Sequence, residues 1–480
     1  VSTQVPAADL RVLVLGGGPA GITAALQARE LGARVTVLEA DKIGGTSLNR
    51  GPAPVRTLAR TARLARDWSS WAEFGLRGPA PEPDLAVAIA NSDRVASYAL
   101  EKKNLAAGVR SMGIDLVEGL GPAGFISPHE VAAADGRSWR ADRVIIAVGG
   151  HAARLPIPGA DLALTYADIS SLIALPARVA VIGGADTGCQ IASIFADLGS
   201  QVSILEAGPV LIPSADASVS ATLEDAFTGR GMAVRTGTRA EGLARDGNEV
   251  TIGFSRGDVR GQTAVDVAFF AVGWPANTDA LNLEAAGVAE ERGAVVVDEY
   301  LRTSMPHIFA AGDVDGHVML VQTARMEGRI AAKNAVLGPT RQAVYDVVPS
   351  GSFTDPEYGR VGRTEAEAAR DHDVVVGVAS YDNLLRPVAD GRADGFCKLI
   401  ADHHTHLILG GHVLGEYSAE TVQTVAAAMA AGMTVEQLAE LQLAFPTFTE
   451  GVSMAAQMIC REIGIGRFPQ AWSYLGPHDE

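Results

Sequence analysis

An α/β fold built on two copies of one βαβ unit is predicted by three observations. Arg11–Ala40 (RVLVLGGGPAGITAALQARELGARVTVLEA) and Arg178–Ala207 (RVAVIGGADTGCQIASIFADLGSQVSILEA) match at a constant offset of 167 residues. Each copy runs as a β-branched apolar strand, a glycine turn, an Ala/Leu-rich helical stretch ending at Leu-Gly, and a second strand ending in glutamate, which is the pattern of a parallel βαβ unit. The chain is also long enough to bury such cores: 480 residues with 48% hydrophobic and 20% charged side chains predict about two to four folded domains and exclude global disorder.

The first copy carries G-x-G-x-x-G at Gly16, Gly18 and Gly21, with Glu39 closing its second strand. The glycines permit a tight turn and close approach of a pyrophosphate to a helix N-terminus, and a carboxylate at that spacing accepts hydrogen bonds from a ribose diol. An ordinary glycine turn in an α/β sheet would not require Glu39. The second copy keeps Gly183, Gly188 and Glu206 but has Ala185 at the middle position, followed by Asp186. A methyl there is expected to crowd the pyrophosphate, and the neighbouring carboxylate to repel it. Glu206 is followed by Ala-Gly-Pro with no adjacent Arg or Lys, so NADH is expected in preference to NADPH.

A net charge of −17 argues against nucleic-acid and anionic-membrane partners. Val1–Ala8 carries neither a basic leader nor an apolar run, and the weakly polar stretch Thr421–Val435 is too short to cross a bilayer. The expectation is a soluble cytoplasmic protein. Three cysteines, Cys189, Cys397 and Cys460, form no CxxC pair, zinc set or disulfide framework.

Further segments follow in order: GGTSLNRGPAPVRTL (Gly44–Leu58), VIIAVGG (Val144–Gly150), FFAVGWPANTDALNLEAAGV (Phe269–Val288), HIFAAGDVDG (His307–Gly316), FTDPEYGRVGRTEAEA (Phe353–Ala368) and FPTFTEG (Phe445–Gly451). Together with the two units, this series resembles the pyridine nucleotide-disulfide oxidoreductases over nearly the whole chain. The resemblance implies two Rossmann-like dinucleotide-binding domains, for FAD and NAD, plus a C-terminal α+β interface domain that makes a homodimer. The implied boundaries are 1–150 and 275–346 for the two parts of the FAD domain, 151–274 for the NAD domain and 347–480 for the interface domain. By the same likeness Gly16, Gly18, Gly21 and Glu39 hold the ADP half of FAD, and Asp313 holds its flavin-side ribityl or phosphate. Gly45, Thr46, Gly149 and Gly273 are further cofactor-binding positions, and the helix expected over Leu320–Val336 points its N-terminus at the flavin pyrimidine.

The chain departs from the family at its chemistry. Where the family has GGTC-x4-C-x-P-[ST]-K, Ser47 and Pro52 stand at the two cysteines, and neither forms a disulfide. Where the family has H-P-T-x-x-x-E, Phe445 replaces the histidine and Glu450 keeps the glutamate; phenylalanine moves no protons and would wall the flavin face with apolar surface. The family's lysine and glutamate near flavin N5 correspond to Arg56 and Gln190. Arg56 is expected either to stabilise anionic reduced flavin or to bind an anionic substrate group, the plain alternative being a helix cap or salt bridge.

These losses point to an FAD-dependent enzyme that moves hydride between NADH and a non-disulfide acceptor, quinone-like or otherwise conjugated and electrophilic. Alternatives are pyridine nucleotide transhydrogenation, flavin-dependent dehydrogenation of a small metabolite, and a non-enzymatic FAD-binding dimer. The run Asp402-His403-His404-Thr405-His406 is expected to be a solvated hairpin tip with no metal. Arg56, Arg60, Arg63 and Arg66 share a helical spacing and are expected mostly on a solvated face. Cys189 is expected as a small packed residue beside Gly188.

Overall fold

A computed structural model of the chain describes residues 9–465; the expectation made for Val1–Ala8 falls outside the described residues. The first half contains β1 (Arg11–Leu15), α1 (Pro19–Glu30), β2 (Arg34–Leu38), α2 (Gly45–Asn49), α3 (Pro52–Arg66), α4 (Leu85–Lys103), β3 (Asp115–Val117) and β4 (Arg143–Ile146). The repeat follows with β5 (Arg178–Ile182), α5 (Asp186–Asp197), β6 (Gln201–Leu205), α6 (Ala217–Gly229), β7 (Ala233–Arg235) and β8 (Val267–Phe270). The strand registers reproduce the repeat: Arg11 lies opposite Arg34 as Arg178 lies opposite Gln201. Both sheets are parallel at their centres, and residues on both faces of β1 and β5 are buried. That explains why these strands read as continuous apolar runs and not as alternating ones.

The chain returns to the first sheet through β9 (Ile308–Ala310), giving the order β9-β4-β1-β2-β3, while the second sheet has the order β7-β6-β5-β8. Helix α7 (Val321–Leu337) packs along α1. A Cβ on Gly328 would overlap the Ala20 carbonyl, so glycine sets that close crossing. The C-terminal region is an antiparallel sheet of β10 (Ser350–Ser352), β11 (Tyr358–Gly362), β12 (Val374–Ser380), β13 (Phe396–Asp402) and β14 (Ile408–Leu414), in the order β10-β11-β14-β13-β12. Helices α8 (Ser418–Ala430) and α9 (Glu450–Glu462) cover it. Among the described residues, no helix is long and apolar enough to cross a membrane.

The arginines of α3 are helical, as their spacing predicts, and Arg60 is exposed, but Arg63 and Arg66 leave the solvated face expected of the run and are paired inside the fold. Helix α3 packs against α5 of the second unit and reaches the C-terminal sheet. Arg63 is buried and pairs with Glu416 at 2.8 Å, donating also to the Thr354 carbonyl at 3.2 Å. Arg66 pairs with the buried Asp355, Arg230 with Asp197 and the Asp355 carbonyl, and Arg392 with Asp67. Four guanidinium groups therefore face the carboxylates of Asp67, Asp197, Asp355 and Glu416 where three regions of the chain meet. Helical periodicity reports only which residues share a face, and these partners lie far away in sequence.

Candidate functional site

In the first unit, Gly16 adopts φ +104°, which favours glycine, and a Cβ on Gly21 would overlap the Gly16 carbonyl. Glu39 Oε2 accepts the Gly17 N–H at 2.6 Å and Oε1 the Asp41 N–H at 2.9 Å, fixing the end of β2 against the turn. No side chain caps α1, so its first-turn N–H groups stay open for an anion. Gly45, at φ +59°, comes so close that a Cβ there would lie 2.7 Å from the Gly18 Cα. Asp313 is half-buried, and burial pushes its pKa up while a hydrogen bond from Trp274 opposes the rise. The open helix end, the Cβ-free turn and this acceptor fit a dinucleotide pyrophosphate and its polyol.

The second unit repeats the geometry. Gly183 adopts φ +107°, and a Cβ on Gly188 would overlap the Gly183 carbonyl. Ala185 has φ −80° and ψ −173°, matching the −79° and −172° of Gly18, so the turn itself keeps the same backbone path with a methyl at the middle position. Asp186, beside it, has a partner outside its own unit. Its Oδ1 accepts the Tyr358 hydroxyl at 2.7 Å, so the carboxylate is engaged by the C-terminal sheet. Glu206 accepts N–H bonds from Gly184 at 2.5 Å and Gly208 at 2.6 Å.

Arg56 and Gln190 have separate partners. Arg56 donates to Glu357 Oε1 at 2.6 Å and stacks over the Phe353 ring at 4.7 Å, and Gln190 donates to the Asp186 carbonyl of its own helix at 3.2 Å. Arg56 thus has a salt-bridge partner, and its side chain is 43% exposed against 1% for that of Glu357. Ser47 donates to the Gly44 carbonyl at 3.2 Å, and Pro52 opens α3. Cys189, Cys397 and Cys460 are free and buried, and burial pushes the last two up to about 12 and about 11. Cys189 packs beside Gly188 as expected, with burial pushing its pKa well up.

Phe445 is 61% exposed and, with Glu450, lines a cavity of about 520 Å³ whose apolar walls include Leu384, Leu385, Leu443 and Met454. Burial raises the pKa of Glu450, and its Oε2 is buried without a hydrogen-bond partner among the described residues. The hairpin tip between β13 and β14 is a turn, and Asp373 joins His403 and His404 there; all three are exposed, with one donor atom each within 4.8 Å of the others. Sequence reasoning missed Asp373, together with Glu357, Tyr358, Trp274 and Tyr166. Glu357, Tyr358 and Trp274 lie inside the quoted motifs FTDPEYG and FFAVGWP, but nothing in the motifs themselves tells their contacts.

Under the turn, the fully buried Glu327 accepts from the Gly312 N–H at 2.6 Å and from the Tyr345 hydroxyl at 2.9 Å. Burial, assisted by Asp315, raises its pKa to about 7. The folded chain therefore keeps a proton that the unfolded chain releases near pH 4. This contribution to stability is full below that pH and is lost as pH rises through about 7, ~3 kcal/mol in all. Glu327→Gln should flatten that slope in denaturant unfolding at pH 5 and pH 8; parallel pH dependence of the variant and the parent would refute the assignment.

Residues 10–328 match the family described as pyridine nucleotide-disulphide oxidoreductase, and residues 348–456 match its dimerisation domain. A dihydrolipoyl dehydrogenase of Thermus scotoductus is 33% identical over 464 residues, covering 94% of this chain and 97% of the relative. A mercuric reductase of Streptomyces lividans is 32% identical, covering 94% and 96% respectively. Among solved structures, LpdA of Mycobacterium tuberculosis is similar with a TM-score of 0.85 at 27% identity, covering 94% of this chain and 99% of that one. The HOCl-induced flavoprotein disulfide reductase RclA of Escherichia coli is similar with a TM-score of 0.83, also at 27% identity, covering 94% and 100%.

Proposed function

Because the chain belongs to the pyridine nucleotide-disulphide oxidoreductase family, whose members bind FAD and use pyridine nucleotides, we propose that it passes electrons from NADH to a small non-disulfide acceptor. The observation that carries this reading is the pair Ser47 and Pro52 at the family's cysteine positions, with every cysteine of the chain buried elsewhere. FAD, when bound, supplies reversible two-electron transfer with the nicotinamide ring. Gly16, Gly18, Gly21, Glu39, Gly45, Thr46, Gly149 and Asp313 would hold it. Gly183, Gly188, Glu206 and Gly273 would hold NADH, and Glu206 would favour it over NADPH because a 2′-phosphate would meet a carboxylate.

In a homodimer, the cavity beside Phe445 would receive the acceptor. Its apolar walls and large volume suit a conjugated ring such as a quinone. Two-electron reduction of a quinone also consumes protons, and Glu450, which lines the cavity and whose burial favours the protonated carboxyl, would donate one. Arg56, already paired with Glu357, would orient the segment that opens α3 and not exchange protons.

Anaerobic mixing of the purified flavoprotein with NADH should bleach the flavin, and adding a quinone should restore it. No long-wavelength thiolate-to-flavin band should form, and lipoamide should not reoxidise the protein. Reoxidation by lipoamide, or such a band, would overturn the reading. Equal reduction by NADH and NADPH would favour transhydrogenation instead.

A further inference from the structure

We propose that Trp274 is a positioning residue for the flavin, holding the Asp313 carboxylate in place from the ribbon that joins the two nucleotide-binding units. The proposal rests on the reading above that Asp313 anchors FAD. The chain leaves the first unit through residues 148–153 and returns through 273–277, and these segments pair with each other. The N–H groups of His151 and Ala153 donate to the carbonyls of Pro275 and Gly273, both at 3.0 Å, and the Asn277 N–H donates to the Gly149 carbonyl at 2.9 Å. The Asn277 side chain adds a bond to the Val148 carbonyl at 2.9 Å and another to His151 Nδ1 at 2.8 Å.

Trp274 lies within this ribbon. A Cβ on Gly150 would overlap its indole nitrogen, so the opposing residue is limited to glycine by the ring. The indole N–H donates to Asp313 Oδ2 at 2.8 Å. The Tyr166 ring packs against the indole with centroids 5.5 Å apart. A continuous link therefore runs from Tyr166 through Trp274 to Asp313.

The chemistry suits positioning. An indole N–H donates and cannot accept or titrate at ordinary pH, so it fixes one carboxylate oxygen and leaves the other for a polyol hydroxyl. It also favours the ionised, acceptor-only form of Asp313, which burial alone would disfavour. Because the donor sits on the interunit ribbon, the flavin-side anchor and the second unit share one support.

The test measures FAD dissociation from the full-length flavoprotein by flavin fluorescence, in a double-mutant cycle. Trp274→Phe keeps an aromatic ring and removes the donor, and it should weaken FAD binding about tenfold, as for loss of a hydrogen bond to a charged group. Asp313→Asn should weaken it at least as much, and adding Trp274→Phe to Asp313→Asn should cost less than about twofold more. No effect of Asp313→Asn would overturn the placement of FAD at this residue. A normal effect of Asp313→Asn with additive loss, or none, from Trp274→Phe would overturn the positioning role alone. Should the phenylalanine variant not fold, Trp274→His keeps a ring N–H: affinity within about threefold of the parent supports the proposal, and a loss equal to that of Asp313→Asn overturns it.

Discussion

Gly21→Ala should yield a protein that retains less than about a tenth of its FAD, and Gly188→Ala should yield one that keeps FAD but is no longer bleached by NADH. In both units the added Cβ falls on a carbonyl oxygen, that of Gly16 or Gly183, which ends the preceding strand. A backbone atom cannot rotate away as a side chain can, so the helix must lift off the strand. Overpacking of this kind costs about 1–3 kcal/mol, and here it displaces the N–H groups that would meet the pyrophosphate. The visible flavin absorbance of the purified variants and their stopped-flow reduction by NADH separate the two sites. Full flavin content in Gly21→Ala, or normal reduction of Gly188→Ala, would place the corresponding nucleotide elsewhere.

Asp355→Asn should destabilise the protein by about 3–5 kcal/mol, the cost of removing one partner from a buried ionic group. Its carboxylate is buried, and although burial alone would raise its pKa, Arg66, Arg63 and Arg230 hold it below the ordinary carboxylate range. Neutralising it leaves the arginines with one charge fewer to face, far from water. Urea unfolding at neutral pH, followed by tryptophan fluorescence, reports the change; a midpoint equal to the parent's would mean that the ionic group contributes nothing net. An Asp355→Asn variant should also unfold in more than one step, because the same carboxylate joins three regions of the chain.

The nucleotide-binding architecture was legible in the sequence because its determinants are local. Glycine at Gly16, Gly21, Gly183 and Gly188 answers to turns that no larger residue can make, and Glu39 and Glu206 stand one strand away from them. At the middle position Ala185 shares the extended backbone of Gly18, so the difference between the two units lies in the methyl that would face a ligand. The partner of Asp186, Tyr358, lies 172 residues away, so its hydrogen bond could not be read from the repeat. Still longer separations hide the partners of Arg56, Arg63 and Arg66. Trp274 was quoted within a motif, yet its bond to Asp313 depends on a ribbon formed by two segments more than a hundred residues apart.

That ribbon has a topological consequence. The second nucleotide unit begins and ends at neighbouring, hydrogen-bonded points, so it interrupts the first unit at one place only. Strands β4 and β9, on either side of the interruption, still pair directly as Ile145 with Phe309. An insert whose two ends lie a strand's width apart leaves its host sheet undisturbed. The nucleotide-binding part of the chain is thus one βαβ unit carrying a second one in a single loop, with the C-terminal sheet following both.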